Sequence, residues 1–208
     1  MSARSKSTAA LLATIALLVS WLAVRHHPAP LGIDQTAFDL LALDNHGWAP
    51  DAAPTVVEVA KVLLACYGLA LACLLLVRRE LRSAVAILLG LILGQSAAHL
   101  AKDAIQRPRP THELVYAGGY SFPSTTSVLG VGLLFLMLAV GRSGPTSLRT
   151  CTAVVGVIIT LALGLSFIVL RVHYLTDVIA GWALGVLMFL ACELIVNVLG
   201  CRLPLLGG

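Results

Sequence analysis

The chain has 208 residues, 59% hydrophobic and only 12% charged, with a mean hydropathy of +0.95. A soluble domain of this length does not carry so little charge, so the composition excludes one and points to the membrane. The net charge of +4 is scattered over the ends of apolar stretches rather than gathered on one face, which excludes nucleic acid as a partner.

Arg4 and Lys6 precede a first apolar run, Thr8 to Val24, which ends in Arg25, His26, His27 and Pro28. No small-x-small cleavage signal follows, so the run reads as an uncleaved membrane helix rather than a secretory leader. The loop of residues 25–54 mixes Ile33, Phe38, Leu40, Leu41 and Leu43 with Asp34, Asp39 and Asp44. That pattern suits a short helix lying on the outer membrane surface or packed as a cap, and no chemistry attaches to it from sequence. Further spans are expected at Thr55–Val77, Ser83–Lys102, Thr125–Val140, Leu148–Leu170 and Thr176–Leu199, each near the roughly 20 residues that cross the hydrocarbon. The expected fold is all-α, a single domain over residues 1–208 with six transmembrane helices in a bundle. Gly90 with Gly94, and Gly181 with Gly185, have the four-residue spacing that lets helix backbones approach closely. Cys66, Cys73, Cys151, Cys192 and Cys201 are odd in number and lack C-x-x-C spacing, so they read as buried thiols. Neither a disulfide framework nor a metal site is assigned.

Basic residues orient the bundle. With the N-terminus in the cytoplasm, the inner side takes Arg4, Lys6, Arg78, Arg79, Arg82, Arg142, Arg149 and Arg202. Arg25, Lys102, Arg107, Arg109 and Arg171 then lie outside, four of them in just two loops where topology disfavours them. That exception calls for a function.

The segment from Lys102 to Pro110 leaves a membrane helix with Lys102, Arg107, Arg109 and two prolines. The prolines stop the helix, and a lysine with a planar guanidinium on a stiff segment suits phosphate oxygens. Gly118 to Thr126 then opens the next helix, where Ser124 is placed as an N-cap and the hydroxyls and free backbone N–H groups of Ser124, Thr125 and Thr126 suit an anion. Between the last two spans lie Arg171, His173 and Asp177. The four-residue spacing of His173 and Asp177 stacks a carboxylate beneath the imidazole, where it accepts one ring N–H and leaves the other nitrogen free to attack. Beside an anion site, an oriented histidine is the arrangement needed for phosphoryl transfer through a phosphohistidine. As ionisable groups within the membrane, His99, one turn before Lys102, and Glu58 with Lys61 on one helix face are further candidates for function, the pair suiting a mutual salt bridge equally well, whereas Glu193 and Asn197 read as interhelical hydrogen bonds.

Taken together, Lys102 with Arg109-Pro110, the run Tyr120-Ser121-Phe122-Pro123-Ser124, and His173 with Asp177 resemble the three motifs of the phosphatidic acid phosphatase type 2 superfamily. The order, the loop placement and the six-helix plan agree with its membrane members. The resemblance implies that Lys102, Arg109 and Ser124, with Thr125 and Thr126 beside it, hold phosphate, that His173 is the nucleophile and that Asp177 orients it. It implies no metal or other cofactor, and a lipid phosphate or diphosphate substrate reached from the outer leaflet of a cell membrane.

Two positions depart from the family pattern. The second motif ends in Thr125 and Thr126 where the family has Gly-His, and Phe167 follows Ser166 where the family has arginine. A general acid is worth about a hundred- to ten-thousandfold in rate, so its loss costs on the order of 3 to 5 kcal/mol. An alkoxide leaving group, whose conjugate acid has a pKa of about 16, needs that proton. A phosphomonoester leaving group, with a pKa of about 6, hardly does. A lipid diphosphate such as a polyprenyl diphosphate is therefore the expected substrate, with Arg171, four residues after Phe167, as the expected replacement charge, whereas His112, in the loop of Arg109, reads rather as solvated. The same replacements also suit a non-catalytic relative that binds phosphorylated lipid or a partner protein. A transporter would instead line a path through the bundle with polar groups, which here concentrate at one level.

Overall fold

The computed structural model describes residues 3–41 and 49–202, all of whose regular structure is helical. In chain order the helices are α1 (Ala3–His26), α2 (Gly32–Leu41), α3 (Ala49–Val77), α4 (Leu81–Ile105), α5 (Thr125–Arg142), α6 (Thr146–Val169) and α7 (Leu175–Arg202). All but α2 are long and apolar enough to cross a membrane, at the six positions the hydropathy indicates. The protein is an integral membrane protein with an all-α, six-span bundle.

Helix α7 packs against α1, α4, α5 and α6, and α5 against α4, α6 and α7, so these two helices form the centre. Glycines permit the close crossings. An added Cβ would strike the ring of Phe189 at Gly90, the Val128 side chain at Gly94 and that of Val131 at Gly185. Helix α3 is different, with only 6% of its most apolar window buried inside the protein. Its apolar residues point all round, as lipid rather than protein must cover most of them.

The expected boundary at Pro54 is corrected: α3 starts at Ala49, and Pro54 is the sixth residue of the helix, where it removes one intrahelical N–H donor. The expectation of buried thiols is also corrected. Cys66, Cys73 and Cys151 are exposed on the outside of the bundle and Cys192 is buried, whereas the side chain of Cys201 lies outside the described residues. Lipid-facing and core-facing positions are both apolar, so composition does not separate them.

At one end of the bundle Glu193 of α7 pairs with Lys6 of α1 at 2.8 Å and Arg142 of α5 at 3.4 Å, the interhelical role expected of it. Arg78 there donates to the Val140 carbonyl at 2.9 Å. The opposite end gathers the close of α1, α2, the close of α4, the 106–124 loop, the start of α5 and the α6–α7 turn. Glu58 and Lys61, exposed near the start of α3, form their ion pair at 2.6 Å.

Candidate active site

Helix α4 ends where the prolines require, with Gln106 as a left-handed C-cap whose N–H bonds the Lys102 carbonyl. Lys102, on the last turn of α4, is buried and donates from Nζ to the carbonyls of Tyr120 (2.6 Å) and Ser121 (3.1 Å). Arg109 spreads its guanidinium over the carbonyls of Gly119, Gly118 and Val172, each at 3.0 Å. The two cations thus hold the 118–121 segment from either side, and Arg109 ties it to the residue next to His173.

Ser124 is the N-cap of α5, its hydroxyl accepting from the Ser127 N–H at 3.3 Å and its own N–H donating to the Asp177 carbonyl at 3.0 Å. This second bond joins the start of α5 to the start of α7. Gly181, one turn into α7, makes the junction possible, because a Cβ there would collide with the Ser124 carbonyl and meet the Ser127 side chain at 2.7 Å. The collision is with backbone, which cannot swing aside. Gly181→Ala is expected to displace the α5 cap and cost about 1 to 3 kcal/mol, as overpacking typically does. Thermal unfolding in detergent checks it: an unchanged midpoint would show that the two helices part freely here.

His173 sits in the α6–α7 turn, 2% exposed, with its backbone N–H on the Phe167 carbonyl at 3.0 Å and its ring 6.0 Å from that of Phe167. Asp177 is fully buried one turn on. The spacing brings the pair together, although not in the expected hydrogen bond: Nδ1 lies 3.6 Å from Asp177 Oδ2 and has no other partner. The reason is competition, since Oδ2 already accepts the Tyr174 N–H at 2.9 Å and Oδ1 accepts from Arg107 at 2.5 Å. Nε2 is the ring nitrogen turned away from the carboxylate. Burial pushes the His173 pKa below its usual 6.5 despite Asp177, and Lys102 and Arg109 are near enough to push it the same way. Both effects favour the neutral imidazole, the form in which a ring nitrogen keeps a lone pair.

The remaining sequence candidates divide. Thr125 is half-buried, and its carbonyl accepts from Gln95 at 3.0 Å. Thr126 turns instead to an apolar cavity of about 1090 Å³ between α3, α4, α5 and α6, which Ser166 and Phe167 also line. Arg171 is half-buried in a left-handed conformation (φ 59°). His112 and His99 are exposed.

Sequence reasoning missed two residues. Arg107, read only as a loop cation, is completely buried and bonds Asp177, Thr176 and Asp34, and Asp34 on α2 is completely buried too. The signal for Arg107 was its place just past the end of α4 and immediately before Pro108; Asp34 offered none, being one of several acids in an amphipathic loop. Helix α2 is thus the packed cap of the two forms expected, held by this network and by Phe38 on Tyr174, ring centres 5.6 Å apart.

The structure is similar to the crystal structure described as the first transmembrane PAP2 type phosphatidylglycerolphosphate phosphatase from Bacillus subtilis. The TM-score is 0.70 at 19% identity, over 93% of this chain and 96% of that one, a likeness of fold. None of the curated proteins matches the sequence. The family model of the PAP2 superfamily matches residues 83–200, from the start of α4 through α7 and including every motif residue above. This chain belongs to the PAP2 superfamily.

Proposed function

We propose that the protein is a membrane lipid phosphatase that cleaves a lipid diphosphate, such as a polyprenyl diphosphate, through a phosphohistidine on His173. The observation that carries this reading is the buried imidazole of His173, with Nδ1 3.6 Å from Asp177 Oδ2, in a turn that Arg109 grips through the neighbouring Val172 carbonyl. In the first step Nε2 attacks the terminal phosphorus, the N–P bond forms, and the bridging P–O bond breaks with its electron pair leaving on the lipid monophosphate. Water then attacks the phosphohistidine, releasing inorganic phosphate and restoring the imidazole. Lys102 and Arg109, with Ser124, Thr125 and Arg171 around them, balance the phosphoryl charge, which requires the first two to exchange loop carbonyls for phosphate oxygens. Asp177 stabilises the positive charge that the ring acquires. The reading takes the site as extracytoplasmic, with both termini in the cytoplasm.

The apolar cavity supports a lipid substrate. It runs along α3 to Phe167, whose ring neighbours His173, so a chain in it would end beside the nucleophile. Phe167 and Thr126 line this cavity, and with neither supplying a proton the leaving group must be intrinsically good, as a phosphate is. A panel of phosphatidic acid, phosphatidylglycerolphosphate and polyprenyl diphosphate, assayed for phosphate release, tests the reading. The diphosphate is expected to be cleaved about a hundredfold faster than either monoester, the low end of what a general acid contributes. Equal rates would defeat the diphosphate assignment, and binding without release from any of them would favour a non-catalytic lipid-phosphate binder.

A further inference from the structure

Hydrogen bonds centred on Arg107 and Asp34, neither of them among the motif residues above, join α2 to the catalytic turn. Arg107 Nη1 donates to Asp177 Oδ1 at 2.5 Å and Thr176 Oγ1 at 2.7 Å, and Nη2 to Asp34 Oδ2 at 2.7 Å. Its Nε reaches the Pro28 carbonyl at 3.2 Å, and the guanidinium lies 4.2 Å above the Tyr174 ring. Asp34 in turn accepts from the Thr176 N–H at 2.9 Å, from the Thr176 hydroxyl at 2.9 and 3.0 Å, and from the Leu31 N–H at 3.0 Å. Every oxygen of Asp34 is satisfied, and neither Asp34 nor Arg107 has any exposed surface. Carboxylates are buried this completely only when paired and hydrogen-bonded.

The charges of this cluster do not cancel. One cation faces two anions, so with a neutral imidazole the cluster carries a net charge of minus one. If Arg107 faced Asp177 alone, the pair would be neutral and Asp177 would offer little to a positive ring. Because Asp34 shares the guanidinium, Asp177 retains negative potential towards Nδ1. We propose that Asp34 is a positioning residue for His173, acting through Arg107 and Asp177 to keep negative charge on the carboxylate that faces the imidazole. The idea rests on the phosphohistidine reading, because a ring that never becomes positive has no use for that charge.

The other groups acting on His173 remain in place when Asp34 is changed. Lys102 from α4 and Arg109 from the following loop oppose its protonation, Asp177 from α7 favours it, Glu113 acts on Arg109, and Phe167 from α6 is uncharged. Arg171 shares its turn. Removing one buried negative charge therefore disfavours the protonated imidazole and the phosphorylated one alike. In Asp34→Asn the acid limb of kcat/KM, which reports the free enzyme, is expected to move to lower pH by about one unit. The maximal kcat is expected to fall about tenfold, the equivalent of that unit. KM should not change, since Asp34 contacts none of the proposed phosphate ligands.

The measurement is phosphate release from polyprenyl diphosphate in detergent micelles against pH, for wild type, Asp34→Asn, Asp34→Ser, Asp34→Glu and Phe38→Ala. The limb is expected to move in whichever neutral variant folds, and to stay in Asp34→Glu, which keeps the charge, and in Phe38→Ala, which loosens α2 without changing charge. A wild-type limb in a folded neutral variant overturns the proposal, as does an equal displacement in Phe38→Ala, which would make α2 docking the cause. If both neutral variants fail to fold while Asp34→Glu folds, Asp34 serves stability alone and the proposal is equally lost. A wild type that releases no phosphate defeats the phosphatase reading itself and this inference with it, an outcome distinct from an active enzyme with an unmoved limb.

Discussion

His173→Ala is expected to abolish phosphate release from lipid diphosphate, by at least about a thousandfold or on the order of 4 kcal/mol of barrier. The reasoning is chemical. Without the imidazole the N–P bond cannot form, and water would have to attack in a site whose cations are placed around a side-chain nucleophile. Some stability is also lost, because the ring is buried and its removal leaves a cavity, although the main-chain bond to Phe167 survives substitution. Trapping labelled phosphate on wild type as an acid-labile, alkali-stable adduct, absent from His173→Ala, checks the covalent step directly. His112→Ala, altering an exposed imidazole in a neighbouring loop, should keep the wild-type rate. Adduct formation in His173→Ala would assign the nucleophile elsewhere.

The second large effect is on folding. Arg107→Met should cost about 3 to 5 kcal/mol of stability, because it leaves Asp34 and Asp177 completely buried without their shared cation. The magnitude follows from desolvation more than from attraction: water is not there to replace the guanidinium, so each carboxylate must be protonated or the cap must open. Methionine fills similar volume, so a cavity is not the cause. The double variant Arg107→Met with Asp34→Asn should cost less than the two single effects added, since it removes one of the stranded charges. Thermal unfolding of the purified variants in detergent gives the comparison. Full additivity would mean that Arg107 and Asp34 do not act as one unit.

The sequence revealed spans and motifs for different reasons. Six runs of apolar residues declare themselves because lipid imposes one requirement on every exposed position of a crossing helix, whatever its neighbours. That same uniformity hid the fate of the cysteines, while the start of α3 was hidden by Pro50 and Pro54, which read as loop residues before the apolar run. The helix stop after Lys102 and the cap at Ser124 were legible because proline and serine act on their own backbone within a few residues. The approach of His173 to Asp177 followed from one helical turn, yet its length did not, since Tyr174 and Arg107 compete for the same carboxylate.

By itself, then, the sequence determined that the chain crosses a membrane six times and where its cations, serine, histidine and aspartate stand in two loops. Only the tertiary structure decided that Arg107 is a buried hub and that Asp34, 73 residues away from it, closes the network. The physical reason is that local order is written in intervals of three or four residues, whereas the pairing of two buried charges depends on which surfaces of distant helices exclude water together.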